Sequence, residues 1–403
     1  MKILLIGKGK SIYYIKKYLK HKKVEYIQAV NEDEIDNKCL LFDESLLNLN
    51  DIDYAIKAPG ILETNKTYLK LASKFKFINE LDLLHIFNEK VKCIVITGSN
   101  GKTTLVSMIE YIFKKINIKC IKCGNSFKPI TYYYKYFDRV DYLIIEQSSF
   151  QLHNLSFYAP FISIILNLQD NHLDASYSLN SYFENKKKIY KYQNKNHYFI
   201  LDENIKELRD VNSNANIISL LNYPYFEYIN KNLLIYKNNI NYIYTIFKIL
   251  SLDINKIVEI NQFNTLKYRQ QIKKVNNVTF INDSKSTSVD ATLFALSNIK
   301  DNKNTILIIG GKDKNLSLDR LNNVNVKYII CYGQIINKAE KVLNNVLICN
   351  NLKEAFKIAI SLKVDNKIVL FSPLCSSFDQ FKNYKDRGKY FDMLVKKYEK
   401  NKI

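Results

Sequence analysis

Apolar residues fall into two rhythms that alternate through this chain of 403 residues. Compact runs rich in Ile, Val and Leu lie at Lys2–Ile6, Val91–Thr97, Tyr142–Glu146, Phe161–Leu166 and Tyr198–Leu201. Others follow at Val278–Ile281, Thr305–Gly310, Val326–Tyr332 and Lys367–Ser372, with a shorter one at Phe77–Ile78. Runs of this length, bounded by small polar residues, read as buried strands. Between them, apolar residues three and four apart mark helices ending near Leu19, over Thr67–Phe75, from Thr103 onward, and over Leu352–Leu362 and Tyr390–Tyr398. The helix from Thr103 carries Leu105, Met108, Ile109, Ile112 and Phe113 on one face. The alternation predicts an α/β protein of three domains, 1–90, 91–264 and 265–403, each a mainly parallel sheet with flanking helices.

The turn between the second of these runs and its helix carries the most chemistry. Gly98-Ser99-Asn100-Gly101 leads into Lys102-Thr103-Thr104 at the helix start. Strand, glycine loop, Gly-Lys-Thr and helix together make a phosphate cradle. Loop amides and the positive helix end face a polyphosphate, Lys102 reaches the outer phosphates, and the Thr103 hydroxyl suits Mg²⁺. The strict motif has a glycine five residues before Gly101, where Ile96 stands, so this is a variant loop. ATP binding is expected at residues 98–104. The first domain opens with a weaker signal, Gly7-Lys8-Gly9-Lys10-Ser11, which lacks the third glycine of a dinucleotide fingerprint. Rossmann-like sheets are expected in the first and third domains, around a central phosphate-loop domain.

Ligands of open α/β sheets gather at the carboxyl ends of strands, and several strands here end in polar groups. Glu146-Gln147-Ser148-Ser149 closes one, and Asn167-Leu168-Gln169-Asp170-Asn171-His172-Leu173-Asp174 another. Taken singly, Glu146 reads as a strand-end charge and His172 as a helix cap. Converging on one sheet end with the phosphate loop, they suit a nucleotide-bound metal, since Mg²⁺ takes oxygen ligands and Thr103 and Glu146 supply them. Asn282–Thr287, Gly310–Lys314 and Ser372–Phe381 are further polar loops after strands, suited to an acidic small molecule and to phosphates.

Composition narrows the class of protein. Lys and Arg number 60 against 39 Asp and Glu, a net charge of +21, which raises the question of nucleic acid. The excess is mostly lysine, spread along the chain among Asn, Ile and Tyr, as a lean toward A/T-rich codons would produce. Solvated lysine faces are the expectation, with no nucleic-acid partner. Seven cysteines without a secretory leader, and no apolar run near the roughly 18 residues of a membrane span, point to a cytoplasmic protein without a membrane span. Cys120 and Cys123 form a lone C-x-x-C, expected to be free thiols. A monomer is the expected state.

Six blocks, TGSNGKTT, EQSSFQL, NLQDNHLD, NDSKSTS, GGKDK and SPLCSSFDQFKNYKDRGKYF, stand in the order and spacing of the Mur ligases. The chain resembles that family well from Val91 to Tyr390 and weakly before it. SSFQL and the last block are similar to the branch that adds D-glutamate to UDP-N-acetylmuramoyl-L-alanine. The resemblance implies ATP-dependent amide synthesis in cell-wall precursor assembly, through an acyl phosphate. It also implies that Lys102, Glu146, His172 and Lys186 are catalytic, with Thr103, Glu146, His172 and Lys186 around Mg²⁺. In the family a carbamylated lysine serves as a metal ligand, and the frame YFENKKKIY sets it at Lys186. Asn241, Arg269, Asp283 and Lys285 would contact ATP. Thr287, Lys314, Ser377, Phe378 and Tyr384 would receive D-glutamate, and Gly9, Ser11 and Asn125 the nucleotide sugar.

The chain departs from the family at several positions. Lys237 replaces a His, Tyr384 a Phe and Asn171 an Asp, and Ala58 stands before Pro59-Gly60 where Ser is common. The departures in the first domain motivate an alternative, a nucleotide-binding regulatory protein that kept the fold without turnover. A nucleic-acid-binding ATPase, resting on charge and the phosphate loop, is a third reading.

Overall fold

The computed structural model describes residues 1–168, 179–264, 266–299, 302–313 and 316–401. Three sheets carry the chain. The first is parallel throughout, in the order β3-β2-β1-β4, with β1 (Lys2–Ile6), β2 (Glu25–Val30), β3 (Leu40–Leu41) and β4 (Tyr54–Lys57). Its helices are α1 (Lys10–His21), α2 (Lys66–Ala72) and α3 (Glu80–Ile86). Phe77 adds a single parallel bridge to Ala55 where a short strand was expected.

The central sheet is also parallel throughout, in the order β10-β9-β8-β5-β7-β6. Its strands are β5 (Lys92–Thr97), β6 (Cys120–Gly124), β7 (Tyr142–Glu146), β8 (Ile162–Ile165), β9 (Tyr198–Leu201) and β10 (Asn216–Ser219). Around it lie α4 (Lys102–Lys115), α5 (Ser149–Leu152), α6 (Leu179–Lys191) and α7 (Lys237–Ile249). On β5, Cys93, Ile94, Val95 and Ile96 are all fully buried, as a strand covered by helices on both faces must be.

The first two sheets belong to one compact unit that runs to Phe263. The join is polar and buried. Asp82, 0% exposed, accepts from the backbone N–H groups of Asn79, Ser156, Phe157 and Tyr158. Glu80 accepts from the amide and hydroxyl of Thr131 at 2.7 and 2.6 Å.

A second unit begins at Asn264. Its sheet has the order β11-β12-β16-β13-β14-β15. The strands are β11 (Gln271–Val275), β12 (Val278–Asn282), β13 (Thr305–Gly310), β14 (Tyr328–Tyr332), β15 (Val346–Cys349) and β16 (Ile368–Leu374). The helices are α8 (Val289–Ser297), α9 (Ile336–Val342), α10 (Leu352–Ser361) and α11 (Tyr384–Glu399). All pairings are parallel except β11 with β12, a hairpin whose two-residue turn puts Asn276 and Asn277 at φ 46° and 64°, the geometry asparagine tolerates best after glycine. All seven cysteines are free, Cys120 and Cys123 among the buried ones.

Candidate active site

The phosphate loop is built by closing β5 against its neighbours. Gly101 adopts φ +83° at the N-cap of α4, a conformation that residues with a side chain rarely take. Asn167, just past β8, braces the loop from below. Its carbonyl accepts from Ser99 N at 3.1 Å and its side chain exchanges bonds with the Asn100 backbone at 2.8 and 3.2 Å. The Lys102 ammonium lies across the loop, donating to the carbonyls of Gly98 and Ser99 at 2.6 and 2.8 Å. Thr104 is buried and Thr103 half-buried behind it.

β5 and β7 pair with Ile96 opposite Glu146, so the carboxylate ends beside the loop. Glu146 is 1% exposed. Its Oε1 accepts from Asn125 Nδ2 at 3.0 Å and Ser126 Oγ at 2.7 Å, and Ser126 in turn accepts from Thr103 Oγ1 at 3.2 Å. Oε2 is buried without a partner. An ionised oxygen in that state costs several kcal/mol unless a cation meets it, so the donor set fits Mg²⁺. Gly124 makes the arrangement possible. At φ +100°, a Cβ there would stand 2.1 Å from the Glu146 carbonyl oxygen. Asn125, expected to contact the nucleotide sugar, is thus tied to Glu146. Ser126 was not singled out from sequence, because only the β6–β7 pairing brings it over the carboxylate.

Three consecutive lysines on α6 point to three different places. Lys186 is 1% exposed. Its ammonium donates to Gly98 O at 3.0 Å and lies 4.3 Å from the Tyr182 ring centre. Burial, then the charge of Lys102, pushes its pKa well below the usual lysine value. Lys187 pairs with Glu184 at 3.0 Å, and Lys188 donates to the His153 carbonyl. Tyr182, which also donates to Ser99 Oγ at 3.3 Å, is a second contributor that sequence did not reveal. His172 and Lys314 lie outside the described residues.

Asn241, on α7, is 6% exposed and secures the loop before it, accepting from Tyr223 N at 2.9 Å and donating to Asn222 Oδ1 at 3.1 Å. Ser11 lines a cleft between the first and central sheets, with Lys57, Asn79, Gln147, Gln151 and Asn154. Gly9 is the N-cap of α1.

The second unit gathers its own polar groups at the ends of β12 and β16. Asp283 accepts from Gln270 N at 3.2 Å and Ser372 Oγ at 3.0 Å. Burial pushes its carboxyl up to about 7, against the pull of those bonds and of the Arg269 charge. The Lys285 ammonium sits 4.5 Å from the ring centre of Tyr384, and Ser377 is 3% exposed. Thr287 is half-buried just before the α8 N-cap. Phe378, expected to wall a pocket, is 68% exposed. Arg387, 0% exposed, ties the loops together by donating to Ser284 Oγ and O and to Cys375 O, at 3.2, 2.9 and 3.0 Å. Within the described residues no group of three His, Cys, Asp or Glu side chains could hold a metal. No helix there is long and apolar enough to cross a membrane.

The Mur ligase middle domain matches residues 96–267. The chain is 34% identical over 384 residues to the UDP-N-acetylmuramoylalanine--D-glutamate ligase of Francisella tularensis subsp. tularensis (strain WY96-3418), across 92% of this chain and 89% of the relative. Against the same enzyme of subsp. novicida (strain U112) the identity is 33% over 387 residues, with the same shares covered. Among solved structures, the MurF ligase of Thermotoga maritima in complex with ADP has a TM-score of 0.61 at 16% identity, covering 99% of this chain and 95% of that one. A pseudomurein peptide ligase type C from Methanothermus fervidus has a TM-score of 0.59 at 17% identity, covering 98% and 99%. These two share the fold.

Proposed function

The chain belongs to the Mur ligase family, and on that premise we propose that it joins D-glutamate to UDP-N-acetylmuramoyl-L-alanine at the expense of ATP. One observation carries the reading. Two lysines, Lys102 and Lys186, converge on the Gly98 carbonyl of the phosphate loop, beside a Glu146 oxygen that is buried without a partner.

The reaction activates the alanyl carboxylate by phosphorylation and releases phosphate when the D-glutamate amine attacks the acyl phosphate. Lys102 would leave the Gly98 and Ser99 carbonyls to neutralise the transferring phosphoryl group. Thr103 and Glu146 would hold Mg²⁺, which screens phosphate charge when bound. The desolvated Lys186 amine, neutral and therefore nucleophilic, would add to carbon dioxide with loss of a proton. The carbamate so formed offers oxygens where an ammonium repels a cation. With His172 it would complete a second Mg²⁺ site. In the second unit, Arg269, Asp283 and Lys285 would meet the nucleotide, and Thr287, Lys314, Ser377, Phe378 and Tyr384 the amino acid.

The test is direct. Purified protein with ATP, Mg²⁺, bicarbonate and both substrates should release phosphate and yield a product heavier by one glutamyl unit by mass spectrometry. Omitting either substrate should stop phosphate release, and L-glutamate or D-alanine should replace D-glutamate poorly, because buried polar groups would go unpaired. Tight ATP binding without product would overturn the ligase reading in favour of a regulatory one.

A further inference from the structure

The cleft between the first and central sheets contains a cation that the reaction as described leaves unused. Lys57 ends β4, is 8% exposed and lines the cleft with Ser11, Pro59, Asn79, Gln151 and Asn154. Its ammonium donates to the Ile61 carbonyl at 2.6 Å and lies 5.2 Å from the Tyr68 ring centre. An ammonium has three donors, and burial makes unmet capacity costly. Glu63, the carboxylate that acts on it electrostatically, accepts from Asn185 Nδ2 at 2.8 Å and pairs with His153 at 2.8 Å. Glu80, the acidic member of the lining, is engaged by Thr131.

A second positive element opens on the same cleft. Helix α1 follows the N-cap Gly9 with no side-chain cap and no acidic residue in its first turn, and Ser11 of that turn is part of the lining. A helix start of this kind favours an anion.

We propose that Lys57 holds an anionic oxygen of the nucleotide-sugar substrate in this cleft. The proposal rests on the ligase reading above. Both the diphosphate and the alanyl carboxylate of that substrate offer such an oxygen. Burial pushes the Lys57 pKa down to about 8, so an anion that binds it also keeps it protonated. The other titratable groups facing it are Glu63 and Tyr68, whose phenol is pushed up to about 12, with His153 beyond Tyr68.

Steady-state kinetics of Lys57→Met against the wild type test this. At pH 7 the KM for UDP-N-acetylmuramoyl-L-alanine should rise about tenfold or more, while those for ATP and D-glutamate stay within about twofold. The wild-type KM for the nucleotide sugar should also climb above about pH 8, with saturating ATP and D-glutamate, and the variant's should not. Calorimetric titration with UDP separates the two sources. Weakened UDP binding in the variant assigns Lys57 to the diphosphate, and unchanged UDP binding with a raised KM assigns it to the carboxylate. An unchanged KM overturns the proposal, as does a rise shared equally by ATP and D-glutamate, which a purely structural lysine would produce. If the variant does not fold, the wild-type pH profile decides, a flat one overturning the proposal. A wild type that makes no product sinks the ligase reading first and this proposal with it, whereas an active wild type beside an unaffected variant sinks this proposal alone.

Discussion

Lys57 and Lys186 are buried in the same compact unit, near the carboxyl ends of neighbouring sheets, yet their surroundings differ in sign. Lys57 has a carbonyl, an aromatic face and a carboxylate within electrostatic reach, so its pKa falls only to about 8. Lys186 also has a carbonyl and an aromatic face, and burial first, then the charge of its neighbour Lys102, pushes its pKa well below the usual lysine value. Burial alone does not decide what a lysine is for. The neighbouring charge opposes burial at Lys57 and reinforces it at Lys186, which on the function proposed above would suit the first to an anionic ligand and the second to carbon dioxide.

The largest blow to this contrast comes from removing the charge that sets it. Lys102→Ala should lower phosphate release by about a thousandfold with an unchanged circular dichroism spectrum. It should also raise the Lys186 pKa and with it suppress carbamylation, read as loss of the added mass in intact-protein spectra. Full activity in this variant would remove Lys102 from the mechanism and from the contrast. Next, Lys186→Ala should cost about a hundredfold and be partly restored by short carboxylic acids that resupply an oxygen ligand. Lys187→Ala, which loses only an exposed pair with Glu184, should stay within about twofold. Equal losses at both positions would erase the distinction between the inward and outward lysines.

The smallest effect is on stability. The folded-state pKa of Lys57, about 8, lies below its ordinary value of 10.5. Between those values the unfolded chain binds more protons than the folded one, so stability should rise with pH through that window, by up to roughly 3 kcal/mol. Urea titrations at pH 7.5 and 10 should show the rise diminished in Lys57→Met. An undiminished rise would mean that Lys57 is no less basic in the fold than out of it.

Much of this was legible from the chain. The runs at Lys2–Ile6, Tyr142–Glu146, Tyr198–Leu201 and Thr305–Gly310 are strands at the expected bounds, because a strand buried on both faces leaves a nearly unbroken apolar signature. Helix α11 begins at Tyr384, six residues before the expected Tyr390. Gly388 lies inside that helix, where a Cβ would stand 2.4 Å from the Tyr268 ring, so packing demands the glycine. Strand β11 went unseen, since its outward residues Lys273 and Lys274 hide the alternation, although Asn276-Asn277 marks its turn. At the site, Lys102, Thr103 and Glu146 were readable from spacing along one strand or loop. Ser126, Tyr182, Lys57 and Arg387 were not, because each acquires its partners only when separate strands and helices meet.

The buried carboxylates at the join of the first two sheets bear on how such a chain could be recombined. Asp82 and Glu80 lie in the first ninety residues but satisfy amides at Ser156, Phe157, Tyr158 and Thr131. A chimera spliced between residues 90 and 91 would inherit one half of that contract without the other, leaving buried N–H groups unmet. Exchange of the first sheet between relatives therefore has to carry the 129–131 and 154–158 segments with it, so inheritance at this join is by matched surfaces and not by a stretch of sequence.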